Sequence, residues 1–277
     1  MNRGLKLSII TVTLNSGKHL EETIKSVLSQ DYRKFEYIII DGGSTDNTLD
    51  IIRKYEQHLA CWISEPDRGM YDAMNKGIAR ATGDIVGIIN SDDYYLPEAF
   101  SKVADAFMDE SLDQYIFWGD IMQGDDLTLG WRPWNLKRGA FAPHPSMFCP
   151  KKIYDRIGAY TLDYKVLGDY DFMYRAIHKY GIKPLYLHEP VAFFRPGGLA
   201  SKNILPALKD ELHVKLKYGQ PFTVAYPMFL LKVIKNSPNI IRNWKLRTLP
   251  AKQKSEVRSQ ESEVSQKAKN KADKMAR

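Results

Sequence analysis

Two adjacent carboxylates, Asp92 and Asp93, are the residues whose type and position most directly suggest chemistry. They follow an apolar run, residues 85–89, that predicts a central strand of a parallel sheet. Open α/β sheets bind ligands at the carboxyl ends of their strands. Two neighbouring negative charges repel each other, and Mg²⁺ or Mn²⁺ would relieve that repulsion while sharing the carboxylates with substrate phosphates. A solvated turn that caps a helix over 96–108 explains the two residues alone equally well.

A second polar group follows the second predicted strand, where residues 41–46 read Asp-Gly-Gly-Ser-Thr-Asp. The glycines permit positive φ and a close approach of a ligand to the backbone. The Asp41 carboxylate would lie at the strand end, where it could accept a hydrogen bond from a base such as a pyrimidine. A strand–helix turn capped by Ser44 or Asp46 is the alternative. The chain contains neither of the glycine-rich phosphate motifs, G-x-x-x-x-G-K-[ST] and G-x-G-x-x-G.

Three polar residues surround the start of the third predicted helix, namely Arg68, Asp72 and Asn75. The planar donor fork of Arg68 could bind phosphate, or it could form a surface ion pair with Asp67 or Asp72. Asp72 and Asn75 lie on the first turns of the helix, where they could face the same cleft or solvent.

The segment 168–171 places two further acids, Asp169 and Asp171, in front of a predicted helix. Acidic residues in this position are common helix caps, and their functional interpretation is a general base. His144 opens the segment that leads to them. The Gly-rich loop 195–201, which starts at Arg195, could close over phosphates or could be a flexible linker.

Strand and helix patterns alternate over the first 120 residues, which predicts a mostly parallel sheet with covering helices. The strands are predicted at 7–14, 35–40, 60–64, 84–90, 115–121 and 185–194. The helices are predicted at 45–55, 70–81, 96–108, 151–157, 170–180 and 204–216, with one more before residue 30. Residues 124–139 are polar and Trp-rich and predict a loop or hairpin. The predicted fold class is α/β, a Rossmann-like sheet flanked by helices with a helical basic C-terminal extension.

The net charge of +7 is distributed unevenly along the 277 residues. Residues 202–277 contain 17 Lys and Arg against 6 Asp and Glu, whereas residues 1–201 contain 23 against 27. We therefore expect no nucleic-acid partner and a peripheral contact of the basic end with an anionic membrane. For residues 222–247 the mixture of aromatic residues and cations favours a membrane surface. For helix 204–216, docking onto the catalytic domain is the favoured alternative.

The sequence predicts a cytoplasmic protein, attached at most to the inner face of the membrane. Cys61 and Cys149 are far apart and form no C-x-x-C pattern, which indicates two reduced thiols. Residues 7–14 are too short and too polar for a signal peptide and lack an A-x-A cleavage site. No apolar run reaches 18 residues, so no transmembrane helix is predicted.

The order of these motifs resembles that of family 2 glycosyltransferases. The resemblance covers about residues 5–201 and rests on the segments 8–15, 40–46, 72–78, 90–93 and 168–171. It implies an inverting enzyme of the GT-A fold. Within the family the chain resembles the branch that builds bacterial exopolysaccharide or colanic-acid-type polymers and cell-surface glycans.

The resemblance also implies roles for individual residues. Asp41 matches the carboxylate that holds the base, and Asp92 and Asp93 match the D-x-D region, which binds ribose and the metal-diphosphate. Asp169 matches the catalytic base, with Asp171 as the alternative. The implied nucleotide-binding set is Thr11, Thr13, Asn15, Asp41, Arg68, Asp72, Asn75, Ser91 and Asp92. The implied acceptor-side residues are His144, Trp131 and Trp134.

Two departures from the family pattern leave assignments open. Asn90 stands where many members carry the first Asp of D-x-D, so the direct metal ligand is either Asp92 or Asp93. Gly168 replaces the usual Glu of an E-D pair, which keeps Asp171 as a second candidate for the base.

The sequence thus predicts a glycosyltransferase that uses Mn²⁺ or Mg²⁺ and moves a hexosyl or N-acetylhexosaminyl group with inversion. The donor would be a nucleotide-sugar, UDP-linked, and the acceptor a hydroxyl of a glycan or lipid-linked glycan in bacterial polysaccharide or cell-surface glycan synthesis. A nucleotidyltransferase would carry a basic, Gly-rich loop after the first strand, which residues 15–18 match poorly. A non-catalytic sugar-nucleotide-binding scaffold at a membrane would have lost the carboxylates that are present here.

Three regions are predicted along the chain. Residues 1–201 form the glycosyltransferase domain, with a nucleotide-sugar half over 1–110 and an acceptor half over 111–201. Residues 202–250 form a basic amphipathic helical extension. Residues 251–277 contain almost no large apolar side chain and form a disordered or fraying charged tail.

Overall fold

The computed structural model describes residues 4–123, 126–128, 137, 144–195 and 203–248, without the side chains of 126–128 and 245–248. The strands are β1 (Leu7–Thr13), β2 (Phe35–Asp41), β3 (Cys61–Ser64), β4 (Ile85–Asn90), β5 (Tyr94–Tyr95), β6 (Tyr115–Gln123), β7 (Asp126–Thr128), β8 (Met147–Pro150) and β9 (Lys183–Phe193). The α-helices are α1 (Leu20–Leu28), α2 (Thr48–Lys54), α3 (Met70–Arg80), α4 (Ala99–Ala106), α5 (Lys151–Ile157), α6 (Gly168–Tyr174), α7 (Ile204–Lys217) and α8 (Phe222–Thr248). A π-helix, Arg175–Lys179, continues α6, and short 3₁₀ helices lie at Glu56–His58 and His144–Ser146.

The described strands form one sheet in the order β3-β2-β1-β4-β8-β6-β9-β5, with β7 paired to β6. Pairing is parallel from β3 to β4, and β6 and β9 are also parallel to each other. The short strands β5, β7 and β8 pair antiparallel with their neighbours. The predicted α/β class with a mostly parallel sheet and flanking helices is confirmed.

Apolar side chains bury both faces of the central strands, as continuous apolar sequence predicts. Every residue of β1 is buried. On one face Ile10 packs with Met74 and Ile78 of α3, and on the other Ile9 packs with residues of α1. Gly77 lets α3 approach the sheet closely, since an added Cβ would lie 2.5 Å from Ile10 Cγ2. The position of α3 above β1 is therefore fixed by close packing.

The strand register brings the predicted polar residues to one edge of the sheet. Thr13 of β1 pairs with Asp41 of β2, and Asp41 pairs with Ser64 of β3. On the other side of β1, Asn90 of β4 lies opposite Val12. The carboxyl ends of four parallel strands thus form a common edge, where open α/β sheets bind their ligands.

The two C-terminal helices pack in series against α6. Val214 of α7 is buried with Tyr170 and Tyr174 of α6, so helix 204–216 docks onto the domain as the favoured alternative expected. Helix α8 packs against α7 and continues through Pro227 and Pro238, well beyond the apolar segment 222–231. In the described part of the chain no helix is long and apolar enough to cross a membrane. The predicted tail, 251–277, lies outside the described residues.

Candidate active site

The turn between β4 and β5 carries the two carboxylates in different environments. Asp93 is 1% exposed, whereas Asp92 is half-buried. The backbone N–H of Arg195, two residues after β9, donates to Asp93 Oδ1 at 2.8 Å, and Arg195 Nε donates to the Asp92 carbonyl at 2.9 Å. The hydroxyl of Thr23 in α1 donates to the Asp93 carbonyl at 2.6 Å. Three hydrogen bonds, one from α1 and two from the segment after β9, therefore hold this turn in place.

Burial raises the pKa of Asp93 to about 7, and the neighbouring charge of Asp92 adds to the shift. Hydrogen bonds from the Arg195 backbone and the Asn90 side chain act in the opposite direction. Three buried oxygens at this edge have no hydrogen-bond partner among the described residues: Asp93 Oδ2, Asn90 Oδ1 and Thr13 Oγ1. Since buried polar atoms are almost always paired, these oxygens indicate where ligand atoms would bind.

The donor atoms at this edge fit a hard divalent cation. The described residues contain no group of three or more His, Cys, Asp or Glu that could hold a metal on their own. Magnesium ions usually take one or two protein carboxylates together with substrate phosphates, and Asp92 and Asp93 supply that number. Asp92 is the more accessible of the two carboxylates, while one oxygen of Asp93 is already bonded to the Arg195 backbone.

The carboxylate of Asp41 organises the turn that follows β2. It is fully buried, and its Oδ2 accepts hydrogen bonds from the N–H groups of Gly43 at 3.1 Å and Ser44 at 2.9 Å. The Ser64 hydroxyl donates to the same oxygen at 2.6 Å, and the Ser44 hydroxyl donates to Oδ1. Asp41 therefore shapes this loop, and a base would reach it most directly through Oδ1.

The loops after β1, β2 and β4 are joined by side-chain hydrogen bonds. Asn15 has a left-handed backbone with φ of 51°, and its Oδ1 accepts from the Thr45 N–H at 2.8 Å. The Ser91 hydroxyl donates to Ser16 Oγ at 2.6 Å. Thr11 lies deeper, where its hydroxyl bonds the Tyr37 hydroxyl at 2.9 Å inside the core. Of the two threonines, Thr13 is the one at the edge.

The three residues around the start of α3 do not act alike. Arg68 is 76% exposed and forms an ion pair with Asp72 at 3.1 Å, which is the surface pair given as its alternative. The Arg68 N–H and guanidinium lower the pKa of Asp72. Asn75 Nδ2 donates to the Tyr160 carbonyl at 2.8 Å, and the Tyr160 N–H donates to Asn75 Oδ1 at 3.0 Å. Asn75 thus fastens α3 to the segment after α5, and its predicted contact with a nucleotide stays a prediction.

Asp169 has the environment of a general base. Its Oδ1 accepts from the Tyr170 N–H at 2.8 Å and from the Tyr71 hydroxyl at 3.0 Å, whose one proton is shared with the Val166 carbonyl at 2.8 Å. Burial raises its pKa to about 6, and among the described residues no Lys or Arg forms an ion pair with it. A carboxylate with a pKa near the working pH accepts a proton most effectively.

Tyr71 and Gly168 lie next to Asp169, and the sequence did not single out Tyr71. Tyr71 lies on α3, which begins at the carboxyl edge of the sheet, and it holds Asp169 near that edge. An added Cβ on Gly168 would lie 2.8 Å from the Tyr71 ring. The glycine that departs from the family's Glu therefore leaves the space that the tyrosine fills.

Asp171 is engaged in a structural network. It is 1% exposed, and its Oδ1 accepts from Lys217 Nζ and from the Tyr218 hydroxyl, both at 3.1 Å. Arg175 Nε lies 3.8 Å from Oδ2. Two donors therefore occupy Oδ1 of Asp171, and a second cation lies near Oδ2. Asp171 joins α6 to the end of α7.

Substitution Asp171→Asn is expected to destabilise the fold while leaving the chemical step largely intact. Removing the charge leaves Lys217 without its partner, and the cost should be about 1–2 kcal/mol, since Lys217 is partly solvated. Urea unfolding measures the stability, and transfer rates are normalised to folded protein. A loss of transfer by more than about 10²-fold in fully folded Asp171→Asn would move the base from Asp169 to Asp171.

The acceptor-side residues are only partly described. His144 is buried in a 3₁₀ helix that packs against β4, β6 and β9. Burial lowers its pKa to about 4, so the imidazole is neutral, and its Nε2 has no partner among the described residues. Trp131 and Trp134 lie outside the described residues.

Comparison with known proteins agrees with this arrangement. The fold, with its carboxylate-lined edge, is of the GT-A type. The sequence model of the family described as Glycosyl transferase family 2 matches residues 8–171, and the chain belongs to that family. Its motifs had indicated the same family.

Relatives and solved structures align with much of this chain. A PGL/p-HBAD biosynthesis glycosyltransferase of Mycobacterium bovis is 32% identical over 221 residues, which cover 76% of this chain and 86% of the relative. S. aureus TarS 1-349 in complex with UDP-GlcNAc aligns with a TM-score of 0.61 at 17% identity, over 90% of this chain and 78% of that one. The mannosyltransferase PcManGT of Pyrobaculum calidifontis, in complex with GDP-Man and Mn²⁺, aligns with a TM-score of 0.58 at 18% identity. The alignment covers 84% of this chain and 75% of that one. The chain spans half of a longer TarS structure.

Proposed function

We propose that this protein transfers a sugar from a nucleotide-sugar to an acceptor hydroxyl, with inversion at the anomeric carbon and with help from Mg²⁺ or Mn²⁺. The observation that carries the proposal is the contrast between two carboxylate sites at one edge of the sheet. Asp92 and Asp93 lie together with unpaired oxygens around them. Asp169 forms no ion pair with a described Lys or Arg, and burial raises its pKa to about 6.

Each site performs a different part of the reaction. Asp92 and Asp93 would hold the cation, and when bound it would offset the negative charge that develops on the leaving diphosphate. Asp169 accepts the proton of the acceptor hydroxyl as that oxygen attacks the anomeric carbon from the face opposite the leaving group. Tyr71 keeps the receiving carboxylate in place. A single displacement inverts the anomeric centre and requires no covalent sugar–enzyme intermediate.

The donor is proposed to carry UDP. Solved relatives of the same fold hold UDP-GlcNAc in TarS and GDP-Man in PcManGT, which supports a nucleoside diphosphate leaving group. The buried carboxylate of Asp41 supplies an acceptor for the N–H of a uracil ring. We further propose a glycan or lipid-linked acceptor, since the basic C-terminal helices suit a site at the cytoplasmic face of a membrane.

A panel of sugar nucleotides tests the proposal. Purified protein is incubated with each donor and with Mn²⁺, Mg²⁺ or a chelator, and the released nucleotide is identified. Release of a nucleoside diphosphate, dependent on the cation, supports sugar transfer. Release of pyrophosphate would indicate a nucleotidyltransferase, and binding of donors without any turnover across a range of acceptors would indicate a scaffold.

Substitution Asp41→Ala is expected to weaken UDP binding by about 10–100-fold, the effect of one charge-assisted hydrogen bond. Calorimetric titration with UDP measures the affinity. Because Asp41 also holds its own turn, Ser64→Ala is the matched control, since it removes one hydrogen bond to Asp41 and leaves the carboxylate in place. Equal losses in the two variants would assign the effect to the turn, and unchanged affinity in Asp41→Ala would remove Asp41 from the base site.

A further inference from the structure

Helix α8 presents a continuous apolar stripe to solvent. With roughly 100° between successive residues of a helix, six of the eight exposed large apolar side chains described on α8 fall within about a third of the circumference. The other two, Val224 and Leu231, lie beyond one border of that third. Ile234 is 68% exposed and Trp244 65%. The stripe consists of Phe222, Tyr226, Leu230, Ile234, Ile241 and Trp244. Contiguous exposed apolar surface of this kind marks an interaction site.

The opposite face of α8 is fixed to the rest of the protein. Ala225 is buried against this support, with 1% exposure. Lys232 donates to both carboxylate oxygens of Glu211 on α7, at 2.6 and 2.8 Å. Glu211 also accepts from the buried Lys215. This ion-paired cluster sets the rotation of α8 about its axis and so directs the stripe outward.

The charges of α8 all have one sign. Its 27 residues include five Lys and Arg and no Asp or Glu. Lys235 and Arg242 are exposed to one side of the stripe. A second copy of the helix would bring cations against cations with no carboxylate to pair them, which opposes self-association. An apolar stripe bordered by cations instead fits the boundary between anionic headgroups and acyl chains.

We propose that α8 is a membrane-docking surface, with the stripe inserted at the headgroup boundary of an anionic bilayer and the cations on lipid phosphates. This proposal goes beyond sugar transfer, because the chemistry at the sheet edge does not require it. Each cation near an anionic leaflet adds to binding, and the apolar side chains add in proportion to the area they remove from water.

Vesicle flotation of the full chain tests the proposal. The protein should float with phosphatidylserine-containing vesicles at low salt and much less at 1 M salt, where the screening length falls to about 3 Å. The variant Ile234→Ser/Ile241→Ser should bind at least about tenfold more weakly. The matched control is Met108→Ser/Leu162→Ser, which removes exposed apolar side chains from parts of the chain outside α8 and should bind nearly as the wild type does.

Three results would overturn the proposal. They are equal binding by the stripe and control variants, equal flotation with neutral and anionic vesicles at low salt, and failure of the wild type to float. In the last case a change in oligomeric mass caused by the stripe variant would identify α8 as a contact between copies. The vesicles carry no sugar donor, so flotation without donor turnover would refute the proposed function alone, and turnover without flotation would refute the docking surface alone.

Discussion

Replacing Asp169 by Asn is expected to reduce sugar transfer by roughly 10²–10⁴-fold, the range for a missing general base, and to make the folded protein more stable at neutral pH. Both hydrogen bonds to Asp169 go to Oδ1, and the carbonyl oxygen of Asn can accept both. The substitution therefore preserves the geometry and removes only the ability to take up a proton. Nucleotide affinity should be unchanged.

The stability gain follows from the raised pKa. Burial moves the pKa of Asp169 from its ordinary value of 3.8 to about 6, so the folded state binds the proton more tightly than the unfolded state does. Wild-type stability then falls as pH rises through this interval. The neutral Asn escapes that loss and should gain about 2–3 kcal/mol above pH 6, with no gain below about pH 4.

Urea unfolding at several pH values measures the gain, and initial rates measure transfer. The wild-type rate should fall on the acid side with a midpoint near 6, as Asp169 becomes protonated. Asp171→Asn serves as the neighbouring control, since it should be less stable and remain active. Substantial transfer by Asp169→Asn, or a rate that stays constant from pH 5 to 8, would contradict the assignment of the base.

The double substitution Asp92→Asn/Asp93→Asn is expected to lower transfer by at least about 10²–10³-fold, the cost of losing one preorganised electrostatic contact to the developing charge. It should also raise the Mn²⁺ concentration needed for half-maximal rate. The amide that replaces the Asp93 carboxylate keeps an oxygen for the Arg195 N–H, so the turn should persist. Because burial raises the pKa of Asp93 to about 7, the cation-free double variant should be at least as stable as the wild type at neutral pH.

Asp84→Asn is the control for this pair. Asp84 precedes the same strand at its opposite end, where it is exposed and its Oδ2 accepts from the Lys6 N–H at 2.8 Å. Its removal lowers the acidic charge near β4 without touching the proposed cation site. The two single variants, at Asp92 and at Asp93, show which carboxylate is the direct ligand. The variant that raises the Mn²⁺ concentration for half-maximal rate more has lost that ligand. Transfer by the double variant at the wild-type rate in chelator would refute the metal assignment.

Long apolar strands and periodic helices were predictable because the local pattern of apolar residues shows which of their side chains are buried. The strands β1, β2 and β4 and helix α5 follow their predicted positions closely. The strands β5 and β8, with two and four residues, are too short for any periodicity to register. They exist because neighbouring strands supply hydrogen-bond partners. In the same way α8 continues past two prolines along the surface of α7.

The grouping of polar residues at one edge of the sheet was predictable from their positions at strand ends, and the environment of each side chain was not. Asp169 and Asp171 are two positions apart and read alike in the sequence. Asp169 is buried beside Tyr71, nearly one hundred residues earlier, and forms no ion pair with a described Lys or Arg, whereas Asp171 accepts from Lys217, 46 residues later. Asn75 had the right chemistry for a ligand contact, and the Tyr160 backbone takes both ends of its amide.

Two ion-paired contacts in series connect the base to the C-terminal helix. Asp171–Lys217 ties α6 to α7, and Glu211–Lys232 ties α7 to α8. The carboxylate of Asp169 is therefore held at a set height above the outward side of α8. If that side lay on a bilayer, the distance from the bilayer surface to Asp169 would be fixed. An acceptor anchored in the same bilayer would then reach Asp169 only when its hydroxyl projects from the surface by that distance. Acceptor length would then be selected by the scaffold, independently of any contact with the sugar itself.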